Sequence, residues 1–369
     1  MFLALQDLRL ARGRFLLMGA VVALISVLAV VLTGLTSGLA ADNVSGLRDL
    51  PVTHFAFQRG VEGDLYSRST VPSDAVQQWI RTPGVRRAAA YGNQLAHAKS
   101  EQTGKDLDVA VFGMEPGSFI APGPASGRPL GVVPDGVLVS RKIADAGVRI
   151  GDTLVVERSG VRLPVIGTVG DEAYSHIAVV YAPLRTWQRI HYGLPGALPA
   201  QVYAQATAIA LDASGTPGRG LGFHVLTKSA AYGASPGYTA ETGTMRLIQG
   251  FLYVISIFVV GAFFVVWTVQ RKQEIALVRA IGGSAGYLLR DALSQGGVVL
   301  VAATVVGSAA GVALCAAIRS AASNAPITLD TGPLLTAGLL MIVLGLLGTF
   351  FAVRRITSVD PLLVLGANR

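Results

Sequence analysis

The sequence has 369 residues, with 30 Lys and Arg against 22 Asp and Glu, a formal net charge of +8. Hydrophobic residues supply 51% of it and charged residues only 14%, where soluble domains carry about 25% charged residues. With a mean hydropathy of +0.54, this excludes a soluble enzyme and a disordered chain, which needs low hydrophobicity. It leaves a polytopic membrane protein with a water-exposed part. The one cysteine, Cys315, excludes an intramolecular disulfide and a cysteine-built metal cage.

Four stretches of more than 22 residues lack Asp, Glu, Lys and Arg and are mostly apolar: 15–41, 247–270, 292–318 and 331–353. A bilayer core takes about 20 apolar residues per helix, and backbone groups in hydrocarbon must be bonded within the segment. The pattern predicts four transmembrane helices, at 15–41, 247–270, 292–318 and 333–353. Gly38-Leu39-Ala40 before Ala41 looks like a signal-peptide cleavage site. A signal's apolar core is only about 7–15 residues long, so the first stretch is expected to remain as a span.

Segment 42–246 lies between the first two spans and reads as an α+β domain. Strands are expected at 108–112, 136–140, 153–157, 163–169 and 177–181, where residues alternate or are β-branched. Helices are expected at 140–146 and at 71–81. The latter has Val71, Ala75, Val76 and Ile80 on one side and Pro72 in its first turn. Pro- and Gly-rich stretches fall at 121–136, 193–199 and 214–222, and the first suggests a sub-boundary. His54, His97, His176, His191 and His224 are scattered, without metal-ligand spacing. They read as surface or hydrogen-bonded side chains, and no catalytic constellation stands out.

Basic residues cluster on one side. The N-terminal segment 1–14 has Arg9, Arg12 and Arg14, the loop 271–291 has Arg271, Lys272, Arg279 and Arg290, and the tail 354–369 has Arg354, Arg355 and Arg369. The connection 319–332 has little charge, so both termini and the 271–291 loop are expected in the cytoplasm. Segment 42–246 holds 19 basic and 17 acidic residues, and the rest of the chain 11 and 5. The positive balance thus reflects topology and anionic lipid, not a nucleic-acid face.

In the 271–291 loop, Ile275, Val278 and Ile281 recur at spacing three before Gly282-Gly283, so a short helix with one apolar ridge is expected. Such a ridge suits an interfacial helix on lipid or docking in a groove on a soluble partner. The run Arg271-Lys272-x-Glu274-Ile275-Ala276-Leu277-x-Arg279-Ala280-Ile281-Gly282 resembles the signature of FtsX/MacB-type permeases, the type VII ATP-binding-cassette (ABC) transporters. The tail Arg355-Ile356-x-x-x-Asp360-Pro361-Leu362-x-x-Leu365 is also similar to theirs. The resemblance implies four transmembrane helices plus an α+β extracytoplasmic domain inserted between helices 1 and 2, the layout read above. Gly136–Val169 looks like part of their porter-type domain. Met1-Phe2-Leu3-Ala4-Leu5-x-Asp7-Leu8-Arg9, Gly13-Arg14-Phe15-x-Leu17-Met18-Gly19 and Leu32-Thr33-Gly34-Leu35-Thr36-x-Gly38-Leu39 resemble the HrtB-type haem-exporter permeases of Gram-positive bacteria.

Several expectations follow from the resemblance. The chain has no G-x-x-x-x-G-K-[ST] loop to cradle ATP, so it is not an enzyme, and ATP is hydrolysed on a separate HrtA-like cytoplasmic ATPase. Two permeases form a homodimer in the plasma membrane. Gly34-x-x-x-Gly38 and Gly307-x-x-x-Gly311 permit close helix approach and are candidate interface elements. Closure of the ATPases passes by mechanotransmission through the helix of 271–281, with Glu274, Ile275, Val278, Arg279 and Ile281 as coupling residues. Haem is the transported substrate, and no cofactor is held.

Haem capture needs ligands for iron and a cation near the propionates. The outer end of the second span supplies Tyr238, Glu241, Met245 and Arg246. If the helix reaches back that far, 238, 241 and 245 share one face, and Glu241 or Met245 would ligate the haem iron. His54, a short loop beyond the first span, is a lesser candidate, and Cys315 in the third span is expected only to pack. Other readings are export of an antimicrobial peptide, lipid or other lipophilic compound, and an FtsX-like module that regulates a cell-wall hydrolase without transport.

Overall fold

The computed structural model describes residues 12–193, 199–215, 217–218, 221–270, 282, 284–322 and 325–357. The coupling residues Glu274, Ile275, Val278, Arg279 and Ile281 and the 358–369 part of the tail lie outside the described residues. The chain divides into two compact units, Leu39–Thr242 and Met1–Gly38 with Gly243–Arg369.

In chain order the elements are α1 (Arg12–Arg48), β1 (His54–Gln58), α2 (Leu65–Arg68), β2 (Val71–Pro72), α3 (Ala75–Ile80), β3 (Val85–Ser100), β4 (Asp106–Met114), β5 (Ser126–Gly127), β6 (Val137–Val139) and α4 (Arg141–Asp145). Then follow β7 (Thr153–Val156), β8 (Arg162–Thr168), β9 (Ala173–Tyr174), β10 (Ile177–Pro183), α5 (Leu184–Tyr192), a 3-10 turn (Ala200–Ala204), β11 (Gln205–Ala206), β12 (Ala208–Ala213), β13 (Phe223–Thr227) and α6 (Lys228–Ala231). Three long helices complete the described residues: α7 (Tyr238–Gln270), α8 (Ala285–Ala321) and α9 (Thr331–Thr357).

Among the described residues four helices are long and apolar enough to cross a membrane: α1, α7, α8 and α9. Each contains one of the charge-free stretches and runs past it. The extension matters most at α7, which starts nine residues before Leu247 and so includes Tyr238 and Glu241. Within the helical unit, Phe15, Met18 and Val22 of α1 pack with Val260, Phe264 and Trp267 of α7 and Leu300 of α8. The two Gly-x-x-x-Gly motifs are used inside the chain. A Cβ on Gly307 would lie 2.3 Å from the Ala23 carbonyl oxygen, and one on Gly311 would lie 2.8 Å from Val30 Cβ. A Cβ on Gly38 would lie 2.0 Å from the Pro326 carbonyl oxygen. These glycines let backbones touch that any side chain would hold apart.

The other unit is built on an 11-stranded, mostly antiparallel sheet in the order β13-β1-β12-β3-β4-β10-β6-β8-β5, with β7 on β3 and β8 and β9 on β10. Among the described residues only β10–β4 and β6–β8 pair in parallel. Side chains alternate between two cores. Val109 and Val111 of β4 face Trp79 and Trp187, while Ala110 and Phe112 face Phe55, Tyr66 and Leu47 of α1. Strands from both sides of the Pro/Gly-rich 121–136 stretch share this sheet, so that stretch is a connection within one unit.

All five expected strands are present as β4, β6, β7, β8 and β10, and the expected helix at 140–146 is α4. The 71–81 helix is corrected. Val71–Pro72 pair with Gln205–Ala206 as strand, and the helix begins only at Ala75, after Asp74. Pro72 gives no hydrogen to a helix or ladder and takes the strand position. Trp79 is the buried anchor, while Ile80 is exposed.

Candidate functional site

Pro236-Gly237 precedes α7, and Gly237 has φ of 76°, a conformation that costs glycine least. The turn places Glu241 in the helix's first turn, where a carboxylate meets the positive end of the helix dipole. The amide of Glu241 donates to the Gly237 carbonyl at 2.9 Å. Glu241 lies six positions before Leu247, about 9 Å of helix. Its carboxylate therefore stands just beyond the apolar stretch.

The carboxylate is held by residues from two other elements. His176 Nε2 lies 3.0 Å from Oε2 and 3.1 Å from Oε1. Asn43 Nδ2 donates to Oε2 at 3.5 Å and to the Pro236 carbonyl at 3.3 Å. Ser235 Oγ donates to Asn43 Oδ1 at 2.8 Å, which fixes the amide. On its other side, His176 Nδ1 lies 3.2 Å from Asp42 Oδ2, and Lys142 donates to Asp42 Oδ1. One imidazole thus bridges a carboxylate of α1 and a carboxylate of α7. Its two nitrogens face opposite acids, which makes a bridge and not a chelate. Among the described residues no group of three or more His, Cys, Asp or Glu is placed to hold a metal ion.

The turn that presents His176 is unusual. β9 and β10 pair through Tyr174 and Ile177, leaving Ser175 and His176 as a two-residue hairpin loop. Both have positive φ, 51° and 64°. Hairpin turns with two such residues favour Asn-Gly, because a side chain there is strained. Here the strain is offset by docking onto α1: the Ser175 amide donates to the Asn43 carbonyl at 2.8 Å and that of His176 to the Asp42 carbonyl at 3.2 Å. Non-glycine residues kept in that region are a mark of functional sites.

The four sequence-derived haem candidates all lie on α7. Tyr238, Glu241 and Met245 fall on one face, as i, i+3 and i+7. The Tyr238 ring meets Tyr232 edge-on at 6.1 Å. Arg246, five residues after Glu241, points from another face of the helix. Beyond them α7 exposes Leu247, Phe251 and Phe258, the last at 72%.

Three other histidines have partners of their own. His54 is buried in β1 with Nδ1 2.9 Å from Thr53 Oγ1, and burial pushes its imidazole below the ordinary histidine value. His97 pairs with Asp108. His191 stacks on Trp187 at 4.8 Å and bonds Gln94. Cys315 is buried beside Gly34. His176, which by sequence is one more surface or hydrogen-bonded histidine, is set apart from these by its bridge between Asp42 and Glu241. No local signal marks it, since its partners are 134 and 65 residues away.

Residues 246–361 match the FtsX-like permease C-terminal family. Over its length the chain is similar to a hemin transport system permease protein HrtB of Staphylococcus haemolyticus, at 23% identity over 367 residues and 99% of each chain. The HrtB of Staphylococcus epidermidis is 21% identical over 374 residues, all of both chains. An ABC transporter permease of Mycobacterium tuberculosis is 24% identical over 371 residues, 99% of each. Among solved structures, the periplasmic region of MacB from Actinobacillus actinomycetemcomitans aligns at 13% identity with a TM-score of 0.35, over 52% of this chain and 94% of that one.

Proposed function

From a chain that carries an FtsX-like permease domain and resembles HrtB-type ABC transporter permeases from end to end, we propose the membrane subunit of an ATP-driven haem exporter. An ABC permease works with an ATPase subunit. The partner here would be HrtA-like and dock on 271–281, and two permeases would pair. Haem partitions into membranes through its apolar ring and is taken from the outer leaflet at the start of α7.

The observation that carries the cargo assignment is the Glu241 carboxylate. It is partly exposed, sits at the end of the apolar span, and is oriented by Asn43 and His176. An acid so near bilayer depth is costly without a role. Groups that ligate metals are themselves hydrogen-bonded by a surrounding shell. His176 and Asn43 would supply that shell, and Glu241 would offer an oxygen to the iron. Met245, one turn further along α7, adds a soft donor, Tyr238 a phenol or an interfacial anchor, and Arg246 a cation for a propionate. α1 and α7 are unbroken over 37 and 33 residues. As rigid rods they would pass ATPase closure to their outer ends, and so open and close the capture site.

The test is a haem titration of the detergent-purified protein, followed by the Soret band. Wild type is expected to saturate at about one haem per two chains, as a site shared across a two-fold axis requires. Glu241→Ala should abolish the saturable shift, and Met245→Ala should weaken it. His176→Ala should lower affinity by about 10–100-fold, the usual cost of removing a ligand's outer partner, and His176→Gln should restore part of it. A wild-type band identical to haem in empty micelles would overturn the cargo assignment and bring forward a peptide or lipid substrate, or coupling to a cell-wall hydrolase. Saturation that survives Glu241→Ala would keep the cargo and move its site.

A further inference from the structure

We propose that a lateral groove between α8 and α9 binds one anionic phospholipid, with acyl chain along the groove and phosphate on Arg290. The groove has a volume of about 980 Å3, at the upper end of the range for small-molecule sites. Its lining is largely aliphatic, from Leu293 and Val301 of α8 and Val343 and Leu347 of α9, with Gly297 of α8 among them. Val301, Val343 and Leu347 stay partly exposed, so the groove opens sideways.

Its length and its charge name the occupant. Arg290 to Val301 is eleven residues, about 16 Å of helix, and one leaflet of a bilayer core is about 15 Å thick. The groove therefore runs from headgroup depth to the midplane. Among the described residues Arg290 is its one charged lining residue, and it stands at the headgroup end. No acidic side chain among the described residues pairs with Arg290. Tyr287, one turn earlier and 55% exposed, stands where aromatic side chains mark the membrane interface. Phe350 closes the same end from α9, and the Arg354 guanidinium lies 5.8 Å over its ring, which places a second positive charge there. A phosphate diester with long acyl chains complements this arrangement.

Haem does not. Among the described residues the lining offers no His, Met, Tyr, Cys, Asp or Glu to iron. This site is therefore separate from the one at Glu241 and does not depend on the cargo assignment.

The experiment is native mass spectrometry of the detergent-solubilised full chain with phosphatidylglycerol and phosphatidylcholine of matched acyl chains. Wild type is expected to retain phosphatidylglycerol about fivefold better, the worth of one basic residue at an anionic surface. Arg290→Gln, an exposed change, should remove that preference while leaving phosphatidylcholine retention unchanged. Gly297→Leu and Val301→Phe, which fill the groove by different routes, should reduce retention of both lipids. A preference that survives Arg290→Gln, or retention that survives both filling variants, would overturn the proposal. So would an efficient disulfide between two copies of Val343→Cys, since a second chain would then cover the groove.

Discussion

Trp187→Ala is expected to lower the stability of the Leu39–Thr242 unit by about 3–5 kcal/mol, the cost of removing a large aromatic from a closed core. For a domain of this size that corresponds to a fall in Tm of about 6–20 °C. Trp187 stands on α5 and is only 2% exposed. Its indole lies flat against Gly92 of β3 and Gly113 of β4, which are partners in register across the two strands. A Cβ at Gly92 would be 2.2 Å from the ring, and one at Gly113 would be 2.4 Å from Trp187 Cβ. The sheet has thus given up two side chains to seat one ring, and without that ring nothing fills the gap. A double-mutant cycle read by calorimetry separates this from general damage. Gly92→Ala should be strongly destabilising in wild type, where its methyl meets the indole, and nearly neutral in Trp187→Ala. If Gly92→Ala costs the same in both backgrounds, the ring does not set the strand composition.

Gly307→Leu is expected to leave little monodisperse protein in detergent, and Gly307→Ala to cost about 1–3 kcal/mol through overpacking. The atoms that a new Cβ would meet are the Ala23 carbonyl oxygen at 2.3 Å and Ser26 Cβ at 2.7 Å. These belong to the neighbouring helix's backbone or lie next to it, so no rotamer change relieves the clash. α1 must move from α8. The helical unit depends on such approaches because apolar residues gain nothing by leaving lipid for one another. Gly250→Ala is the control, since its Cβ would meet no atom within 4 Å and alanine favours the helix by about 1 kcal/mol. Thermal aggregation of purified protein should rank Gly250→Ala at or above wild type and Gly307→Ala well below it. Equal behaviour of the two would show that α1 and α8 are not in close contact at Gly307.

Sequence by itself determined the four spans and the place of the inserted domain. Hydrocarbon cannot solvate a charge or an unpaired peptide, so a run of about 20 residues that is both charge-free and continuously apolar favours a spanning helix, whereas the charge-free 190–211, broken by Pro195 and Pro199, does not span. It also determined β4, β6, β7, β8 and β10, whose β-branched residues suit a pleated, buried surface. Glu241 was legible for the first reason, as an acid at the end of an apolar run.

Tertiary structure decided the rest. β3, the longest strand at 16 residues, reads Val-Arg-Arg-Ala-Ala-Ala-Tyr-Gly-Asn-Gln-Leu-Ala-His-Ala-Lys-Ser, with little intrinsic strand preference. It is a strand because β4, β7 and β12 pair along its two edges and satisfy its backbone. At 71–81 the period suited a helix, but pairing of Val71–Pro72 with Gln205–Ala206 took the first residues. The Gly-x-x-x-Gly motifs announced close contact without saying with what, and the fold spent them within the chain. The His176 bridge is the clearest case. Its strained turn and its two carboxylates lie far apart in sequence and meet only when the β9–β10 hairpin docks on α1 beside the start of α7. Periodicity and composition report what a residue's immediate neighbours require, whereas a bridge depends on which distant segments the closed chain brings together.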